Sequence, residues 1–387
     1  MSKIDELIAQ YCPEGVEYKY LAEVCDFRRG KTITAKQAIE GDVPVIAGGQ
    51  KPSYYHNEAN RFGETISISS SGAYAGFVNY WTIPVFLSDS FSVDVDCNSL
   101  IIKYVFYYLK SLQNEIHNTK KGSGVPHVHG SSISKFQIPV PPIPIQEAIV
   151  EILDKFTALE AELEAELEAR TRQYEFYRNE LLSFEGKDVE WKTLGEIGEF
   201  TRGKRFVRTD MVESGFPCIH YGEMYTHYNI YATKSRSFIK EELADKLRKA
   251  KKGDVVIVAA GETIEDIGKA TAWLGQSEVV THDACFTFSS PLNPKFVAYF
   301  SRTKLFHNQI KRHISSGKIS AINSKGLAQA KIPVPPIEEQ NRIVAILDKF
   351  DALVNDISTG LPAEIKARRE QYEYYRGKLL SFEPKSA

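Results

Sequence analysis

Apolar residues recur at steps of three and four along two segments of the chain, which is the spacing of one face of an α-helix. The segments run from Ile149 to Phe184 and from Ile343 to Phe382. Their regularity predicts two long helices with coiled-coil character. Neither helix is apolar on all sides, so each must bury its apolar stripe, and the obvious partner is the other helix. The main positions expected in this helical interface are Phe156, Leu159, Leu163, Tyr174, Tyr177, Phe350, Leu353, Ile357, Tyr372 and Tyr375.

The two helical segments are copies of each other. Each is preceded by IPVPPI, at Ile138–Ile143 and at Ile332–Ile337, and each ends on the pattern QYExYRxxLLSFE. A near-verbatim repeat of this length indicates one structural unit that is used twice. Because proline cannot enter a helix interior, the lead-in also fixes where each helix begins.

The second helical segment is four residues longer than the first, near Gly360 and Pro362. Four extra residues add about one helical turn, so we expect the apolar stripe to stay roughly in phase. Pro362 should either kink this helix or restart it.

The duplication also covers the module that precedes each helix, since Val16–Lys31 matches Val189–Lys204. Short β-branched runs, such as Thr65–Ser69 and Val255–Ala259, stand between Gly, Asn, Pro and Ser turns and predict strands. The expected fold class is α+β, with two globular mixed α/β domains separated by two long antiparallel α-helices and a pseudo-twofold axis from the duplication. Helices of about 40 residues predict a rod on the order of 60 Å long, with one module at each end.

Four segments follow from this layout. They are 1–143, the first module with its proline-rich lead-in; 144–184, the central helical spacer; 185–337, the second module with its lead-in; and 338–383, the C-terminal helical spacer.

Composition narrows the class of protein only slightly. The formal net charge of −2 gives no indication of a polyanion partner such as a nucleic acid, although a local basic face can coexist with acidic helices elsewhere. The five cysteines are scattered and contain no CxxC pair, which is typical of free thiols in a reducing compartment. The chain has neither an apolar run of membrane-spanning length nor a signal-peptide core at its start, so we expect a cytoplasmic protein without a membrane segment.

The geometry expected for the helices suits a linear and nearly dyadic target, and duplex DNA is such a target. The two divergent modules, the two IPVPPIxxQ lead-ins and the two QYExYRxxLLSF endings together resemble the specificity subunit of type I restriction-modification enzymes. The resemblance covers essentially the whole chain. It implies that each module is a target recognition domain, which reads one half of a bipartite, asymmetric site in double-stranded DNA.

The same resemblance implies that the helical pair sets the gap between the half-sites and docks two methyltransferase (modification) subunits. Two motor-nuclease (restriction) subunits would complete the complex. On this basis the chain is a non-catalytic subunit without a cofactor or metal of its own. S-adenosylmethionine, ATP and Mg are then expected in the partner subunits.

Basic residues near the start of each module are candidates for phosphate contacts, because Lys and Arg neutralise the DNA backbone without reading sequence. For any one of them, a solvated loop is an equally good interpretation. They are Arg29 and Lys31 in the first module and Arg202, Lys204, Arg205 and Arg208 in the second.

Polar and aromatic side chains in the segment that differs most between the modules are candidates for base contacts, because specificity should vary where flexible loops stand on a shared scaffold. Some of the tyrosines there fit a core or rim position equally well. The candidates are Gln50, Lys51, Tyr54 and Asn57 in Gly48–Phe62, and His220 and Tyr221 in His220–Tyr231.

A loop before each lead-in is the third candidate region, because Gly, Ser and Lys allow close approach to phosphates. The loops are Lys120–Ser132, with Lys120 and Lys121, and Ser315–Gly326, with Lys318. His127 and His129 lack further metal ligands nearby, so we predict no metal site.

Two competing interpretations remain open at this point. One is a helical scaffold or adaptor whose two end domains bind protein or carbohydrate, which the polar aromatic loops and slightly acidic charge allow. The other is an enzyme that uses the acidic residues Glu262, Glu265 and Asp266, although such one-sided acidity is more often turn chemistry. The chain contains no GxxxxGK[ST] loop and no methyltransferase motif that would favour an enzyme.

Overall fold

The structure, a computed structural model, describes residues 3–122 and 124–385. Ser123, in the candidate loop Lys120–Ser132, lies outside the described residues, as do the first two and last two residues of the chain. The chain divides into unit 1, formed by Met1–Glu164 with Glu364–Ala387, and unit 2, formed by Ala165–Ala363. Each unit therefore contains one module and a part of each helical segment.

Unit 1 contains two sheets and a separate strand pair, and the predicted run Thr65–Ser69 is one of the strands. The four-stranded antiparallel sheet has the order Cys25–Arg29, Ser90–Val95, Thr65–Ser69 and Val78–Trp81. The three-stranded sheet has the order Tyr54–His56, Val43–Ile46 and Phe86–Leu87, with the last pair parallel. A separate pair joins Tyr18–Tyr20 to Gln137–Pro139. The helices of this module are Lys3–Tyr11, Leu21–Val24, Ile102–Ser111, Gln113–Asn118 and Gly130–Ile133.

Unit 2 repeats this plan with more strands. One five-stranded sheet has the order Glu199–Arg202, Cys285–Ser289, Val255–Val258, Ala270–Trp273 and Tyr231–Ala232. The other has the order Met211–Val212, Ser237–Ile239, Phe216–Ile219, Val279–Thr281 and Lys249–Ala250. Two-stranded pairs join Trp191–Thr193 to Lys331–Pro333 and Ala260–Gly261 to Ser320–Ala321.

The helices of this second module are short. They are Leu194–Ile197, Glu223–Thr226, Glu241–Ala244, Pro294–Phe300, Lys304–Lys311 and Ser324–Ala328, with 3₁₀ turns at Arg208–Asp210 and Ile264–Asp266.

A buried glutamine ties each proline-rich lead-in to its own module. The Gln146 side chain donates to the carbonyl oxygens of Pro141 (2.7 Å) and Ser99 (2.9 Å) and accepts from the backbone N–H of Ile101. Gln340 makes the equivalent bonds, donating to Pro335 at 2.8 Å and accepting from Asn293 at 2.8 Å. Because a buried amide is costly unless its bonds are made, each glutamine fixes the angle at which the chain enters its helix.

The first helical segment is one helix, Ile143–Ser183, as predicted. The second is two helices, Ile337–Asn355 and Leu361–Leu379. The prediction that Pro362 kinks or restarts the helix is confirmed, since proline is tolerated in a first helical turn. The expectations that the four extra residues add a helical turn and that Ile357 lies in the helical interface are wrong. The extra residues open a break, and Ile357 lies in it, 82% exposed, instead of in the interface between helices.

Inside each unit, a helix from one copy of the repeat packs antiparallel against a helix from the other copy. In unit 1, Phe156 of the first copy stacks on Tyr375 of the second at 5.8 Å. In unit 2, Phe350 of the second copy stacks on Tyr177 of the first at 5.4 Å. Tyr174 is buried and donates to the Asp351 carboxylate at 3.3 Å. The phenylalanine of each LDKF sequence therefore packs on the tyrosines of the other copy.

Candidate nucleic-acid interface

A basic turn of sequence Arg-Gly-Lys leaves the same sheet edge in both units. It follows the strand Cys25–Arg29 in unit 1 and Glu199–Arg202 in unit 2. The backbone N–H of Lys31 donates to the carbonyl of Leu87 at 2.9 Å, and that of Lys204 donates to the carbonyl of Thr281 at 3.2 Å. Both turns are therefore anchored to the same position of the duplicated scaffold.

Glycine is required at the centre of each basic turn, because the turn crosses directly over a neighbouring backbone. A Cβ on Gly30 would overlap the carbonyl group of Leu87, and a Cβ on Gly203 would overlap the carbonyl oxygens of Thr281 and His282. The duplicated RGK sequence is thus explained by a close backbone approach, which only glycine permits.

A bend carrying an aspartate faces each basic turn. In unit 1 the Asp89 carboxylate accepts a hydrogen bond from the Ser71 hydroxyl. In unit 2 Arg202 donates to the carbonyl of Asp283 at 2.9 Å, and the Asp283 carboxylate lies 3.0 Å from Nδ1 of His282. The two aspartates are 194 residues apart, the same separation as the two IPVPPI sequences.

A hairpin closes the opposite side in each unit. Lys121 and His127 exchange backbone hydrogen bonds at 2.9 and 2.8 Å, and Ser315 and Ala321 do the same at 2.8 and 3.1 Å. These hairpins belong to the two loops predicted from their Gly, Ser and Lys content, and they too are 194 residues apart. In unit 1 the turn, the bend and the hairpin line a cleft. In unit 2 the cleft is lined by the segment that follows the turn, by the bend and by Ile319 of the hairpin.

Cleft 1, in unit 1, is a cavity of about 780 Å³ with a polar lining. Its basic groups come from the turn and from the hairpin. Its main lining side chains are Arg29, Thr32, Ser70, Ser88, Asp89, Lys121, His127 and His129.

Cleft 2, in unit 2, occupies about 770 Å³ and is more aromatic. The rings of His220, Tyr221 and His282 lie within 5.0 Å of one another, centre to centre, and Phe206 packs edge-on to His282 at 5.1 Å. Its main lining side chains are Arg205, Phe206, Arg208, His220, Tyr221, Tyr225, Glu262, Asp266, His282 and Asp283.

Both imidazoles of cleft 2 favour the neutral form. Burial lowers the pKa of His220, Arg208 acts in the same direction, and Glu223 opposes them. Burial also lowers the pKa of His282, with His220 and Arg205 acting in the same direction, while Asp283 and the hydrogen bond to the Phe206 carbonyl oppose them. At neutral pH the positive charge of this cleft therefore comes from its arginines.

Several residues predicted from sequence are brought together in the clefts. Arg29 and Lys121 line cleft 1. Arg205, Arg208, His220 and Tyr221 line cleft 2. Lys318 is exposed beside Ile319, which belongs to the lining of cleft 2.

Other predicted residues lie outside the cleft linings. Five of them are simply exposed: Lys31, Gln50, Lys51, Asn57 and Arg202. Of these, Gln50, Lys51 and Asn57 stand on the loops that flank the strand Tyr54–His56. The side chains of Tyr54, Lys120 and Lys204 donate hydrogen bonds to nearby backbone carbonyls. The Tyr54 hydroxyl donates to Ile33 at 2.5 Å, Lys120 to Ala73 at 3.3 Å and Lys204 to Lys246 at 2.9 Å.

Sequence reasoning did not propose the two aspartates, Ser88 or His282 as parts of the interface. Asp89 and Asp283 were recognisable as a matched pair only by their repeat spacing, and neither stands in a basic or variable stretch. Ser88 and His282 precede them directly, so the same spacing was the available signal.

The acidic residues considered for metal-dependent chemistry form a turn. Asp266 accepts from Lys269 at 2.6 Å and from the Thr263 hydroxyl, and these bonds lower its pKa although burial acts to raise it. Within 3–122 and 124–385, no three His, Cys, Asp or Glu side chains are grouped so that they could hold a metal ion. In the same ranges no helix has the length and apolar character needed to cross a membrane.

Comparison with known proteins gives a consistent result. The family model for the type I restriction modification DNA specificity domain matches residues 13–169 and 186–367, one match for each module. The specificity subunit of the type I restriction enzyme EcoR124I/EcoR124II from Escherichia coli is 38% identical over 306 residues, which is 74% of this chain and 72% of that relative.

Two further matches extend over nearly the whole chain. A predicted type I restriction enzyme specificity subunit from Haemophilus influenzae is 28% identical over 389 residues, 95% of this chain and 96% of its own. The crystal structure of the type I restriction-modification S subunit from M. genitalium has the same fold, with a TM-score of 0.58, 18% identity, and coverage of 95% and 96% of the two chains.

Proposed function

The chain belongs to the family of type I restriction-modification DNA specificity subunits, and we propose that cleft 1 and cleft 2 each read one half of a bipartite, asymmetric DNA site. The observation that carries this proposal is the duplication of the turn, bend and hairpin around the two clefts. Turn, bend and hairpin recur at matched positions, whereas the side chains that fill them differ. A shared scaffold with two linings is what two unlike half-sites require.

The candidate contacts divide by chemistry. Positive side chains would hold phosphates and set the position of the module, and polar or aromatic side chains would contact bases. The first group is Arg29, Lys31, Lys120, Lys121, Arg202, Lys204, Arg205, Arg208 and Lys318; the second is Gln50, Lys51, Tyr54, Asn57, His220 and Tyr221. We propose the segments 1–143 and 185–337 as the recognition domains and 144–184 and 338–383 as the spacers.

An exposed aromatic pair on each unit suggests where a partner docks. Phe176 and Tyr177 lie on unit 2, and the equivalent Tyr374 and Tyr375 lie on unit 1, in near-identical sequence. Phe176 is 62% and Tyr374 is 65% exposed, although large aromatic side chains are usually covered. Two copies of one surface would bind two copies of one partner, and a modification subunit is the partner that fits the family.

The chemistry would then lie outside this chain. Methyl transfer would be supplied by two modification subunits that carry S-adenosylmethionine, and DNA translocation and cleavage by two restriction subunits that use ATP and Mg. The chain itself would act in the cytoplasm as a non-catalytic reader of double-stranded DNA.

Methylation mapping tests the reading function. A genome that carries this gene with its partner genes should show methylated bases in one two-part motif, with a fixed unspecified gap between unlike halves. Deletion of this gene alone should abolish that methylation. A contiguous motif, or methylation that persists after the deletion, would contradict the proposal.

Salt-dependent binding distinguishes a DNA reader from a scaffold that binds protein or carbohydrate. The chain with its modification subunits should bind duplex DNA with an affinity that falls steeply as salt rises, with a log–log slope that reports several phosphates. Binding that does not depend on salt would argue against phosphate contacts.

Docking is tested by native mass spectrometry of the complex. Phe176→Ser and Tyr374→Ser should each reduce the number of bound modification subunits from two to one, and the double variant should bind none. Phe62→Ser, at a 73% exposed position in the first module, is the matched control and should retain both subunits. Full occupancy of the double variant would show that the aromatic pairs are not the docking surface.

A further inference from the structure

The segment that follows each basic turn is held by one buried side chain on the bend. In unit 1 the Ser88 hydroxyl accepts from the backbone N–H of Ile33 at 3.2 Å and lies 3.3 Å from its carbonyl oxygen. In unit 2, Nε2 of His282 lies 3.1 Å from the carbonyl oxygen of Phe206. Ile33 and Phe206 each stand three residues after the glycine of RGK, and Ser88 and His282 are 194 residues apart. The two side chains therefore occupy one duplicated position.

The hydrogen bond from Ala284 selects one neutral tautomer of His282. The backbone N–H of Ala284 donates to Nδ1 at 3.1 Å, and the Asp283 carboxylate lies 3.0 Å from the same nitrogen. In the tautomer that the Ala284 bond selects, Nε2 carries the hydrogen and donates to Phe206. A neutral imidazole thus bridges the backbone of the bend to the backbone of the segment that carries Arg205 and Arg208.

We propose that His282 is a positioning residue that presents Arg205 and Arg208 to DNA, and that its bridge requires a neutral imidazole, whereas the equivalent Ser88 bond in unit 1 has no titrating group. This inference rests on the proposed reading of one half-site by each cleft. Its consequence is that acidification weakens discrimination by unit 2 through this bridge, a response that Ser88 cannot produce in unit 1.

The charges around His282 support this direction. A second proton on Nδ1 would remove the acceptor of the Ala284 N–H. It would also place a buried cation beside Arg205 and His220, and the Asp283 carboxylate, 3.0 Å away, and the Phe206 carbonyl would offset this cost only in part. Arg208 and Tyr221 complete the surroundings of the ring within the cleft.

The pH range follows from the sign of the shift. Burial lowers the pKa of His282 below its ordinary value of about 6.5, so the bridge is intact at pH 7 and above. The native arrangement loses stability as the pH falls from about 6.5 through the lowered pKa. In that range an imidazole released from the bridge binds a proton, whereas the bridged imidazole still resists protonation. His220, whose pKa is also lowered, titrates in the same direction and needs its own control.

The experiment uses the full chain in complex with its modification subunits and the DNA motif found by methylation mapping. For each half-site, the measured quantity is the ratio of affinity for the intact motif to affinity for DNA with that half scrambled. Such a ratio cancels the general gain in affinity that any protonated histidine gives, including His127 and His129 in cleft 1. It is measured between pH 5.5 and pH 8.

For the wild-type complex we expect one half-site to lose discrimination about tenfold between pH 7.5 and pH 5.5, and the other to change less than twofold. His282→Leu should lose discrimination at that same half-site at every pH. His282→Gln, whose amide can donate to Phe206 and accept from Ala284, should restore part of it and abolish the pH dependence. Ser88→Ala should weaken the other half-site at every pH, and Ser88→Thr should restore it.

Three results would overturn the inference. These are equal pH dependence at both half-sites, a pH dependence that survives in His282→Gln, or a pH dependence that is removed by His220→Gln alone. The proposed function would still stand in each case, because it depends on the two-part motif and not on its pH profile.

Discussion

Cleft 1 and cleft 2 share a backbone and differ in what fills it. Both have a basic turn over a carbonyl, an aspartate on the facing bend and a hairpin on the far side. Cleft 1 is lined mainly by hydroxyls, an arginine, a lysine and two histidines, whereas cleft 2 is lined by two arginines and a larger cluster of aromatic and imidazole rings. If the proposed function is right, the duplicated residues define where DNA is read and the divergent ones define what is read.

The largest effect should come from the shared scaffold. Gly30→Ala and Gly203→Ala each force a Cβ into a backbone carbonyl, so each should lower the free energy of unfolding by about 3 kcal/mol. Urea denaturation measures this. The controls are Gly124→Ala and Gly317→Ala, whose added Cβ meets nothing nearer than 3.7 Å. A large loss for only one of the two turns would show that the clefts are not built alike.

The exchanged helix packing should give the next effect. Phe156→Ala in unit 1 and Phe350→Ala in unit 2 each remove a stacked, half-buried ring, for a loss of about 2–3 kcal/mol, below the usual loss for a fully buried phenylalanine. Phe176→Ala, at an exposed position, should cost less than about 0.5 kcal/mol. If Phe156→Ala behaved like Phe176→Ala in the same urea titration, the stacking in unit 1 would not contribute to stability.

The basic groups should contribute equally although they come from different elements. Replacing Arg205 and Arg208 by Gln removes two phosphate contacts, which lowers DNA affinity about thirtyfold at 0.15 M salt and reduces the log–log salt slope by about 1.8. Arg29→Gln with Lys121→Gln is the matched pair in cleft 1 and should do the same. A slope that changes for only one pair would mean that the other cleft does not contact the phosphate backbone.

The smallest expected effect on the free energy of unfolding comes from an ion pair that joins the helices of unit 1 and has no equivalent among the described residues of unit 2. Arg369 donates to the Glu160 carboxylate at 2.5 Å and also to that of Glu164, in unit 1. The equivalent position in unit 2 is Thr171, which bonds its own helix at Leu167. Because exposed ion pairs contribute little, Arg369→Ala should cost at most about 1 kcal/mol, and 1 M salt should remove the difference. A loss that persists in high salt would indicate packing instead of charge.

Sequence patterns predicted the duplicated parts of this molecule well. The seam of Ile149–Phe184, the strands at Thr65–Ser69 and Val255–Val258 and the restart at Pro362 all follow from local periodicity and proline chemistry. The break that leaves Ile357 exposed was missed, because four inserted residues can either extend a helix or open it, and tertiary packing decides between the two.

The candidate site was predicted in part, for a different physical reason. Arg29, Lys121, Arg205, Arg208, His220 and Tyr221 stand in basic or variable stretches that composition alone reveals. Asp89, Ser88 and His282 do not, because their partners, the Ser71 hydroxyl and the backbones of Ile33 and Phe206, are distant in sequence and are brought close only by the fold. Comparing the two halves of the chain position by position was the one way to find them.

Exchange of one module tests the central claim most directly. Residues 1–143 are replaced by the corresponding module of another specificity subunit, and the methylated motif of the complex is mapped. We expect one half of the motif to change completely, while the other half and the length of the gap stay the same. A change in both halves, or a motif that loses its gap, would contradict independent reading by two clefts.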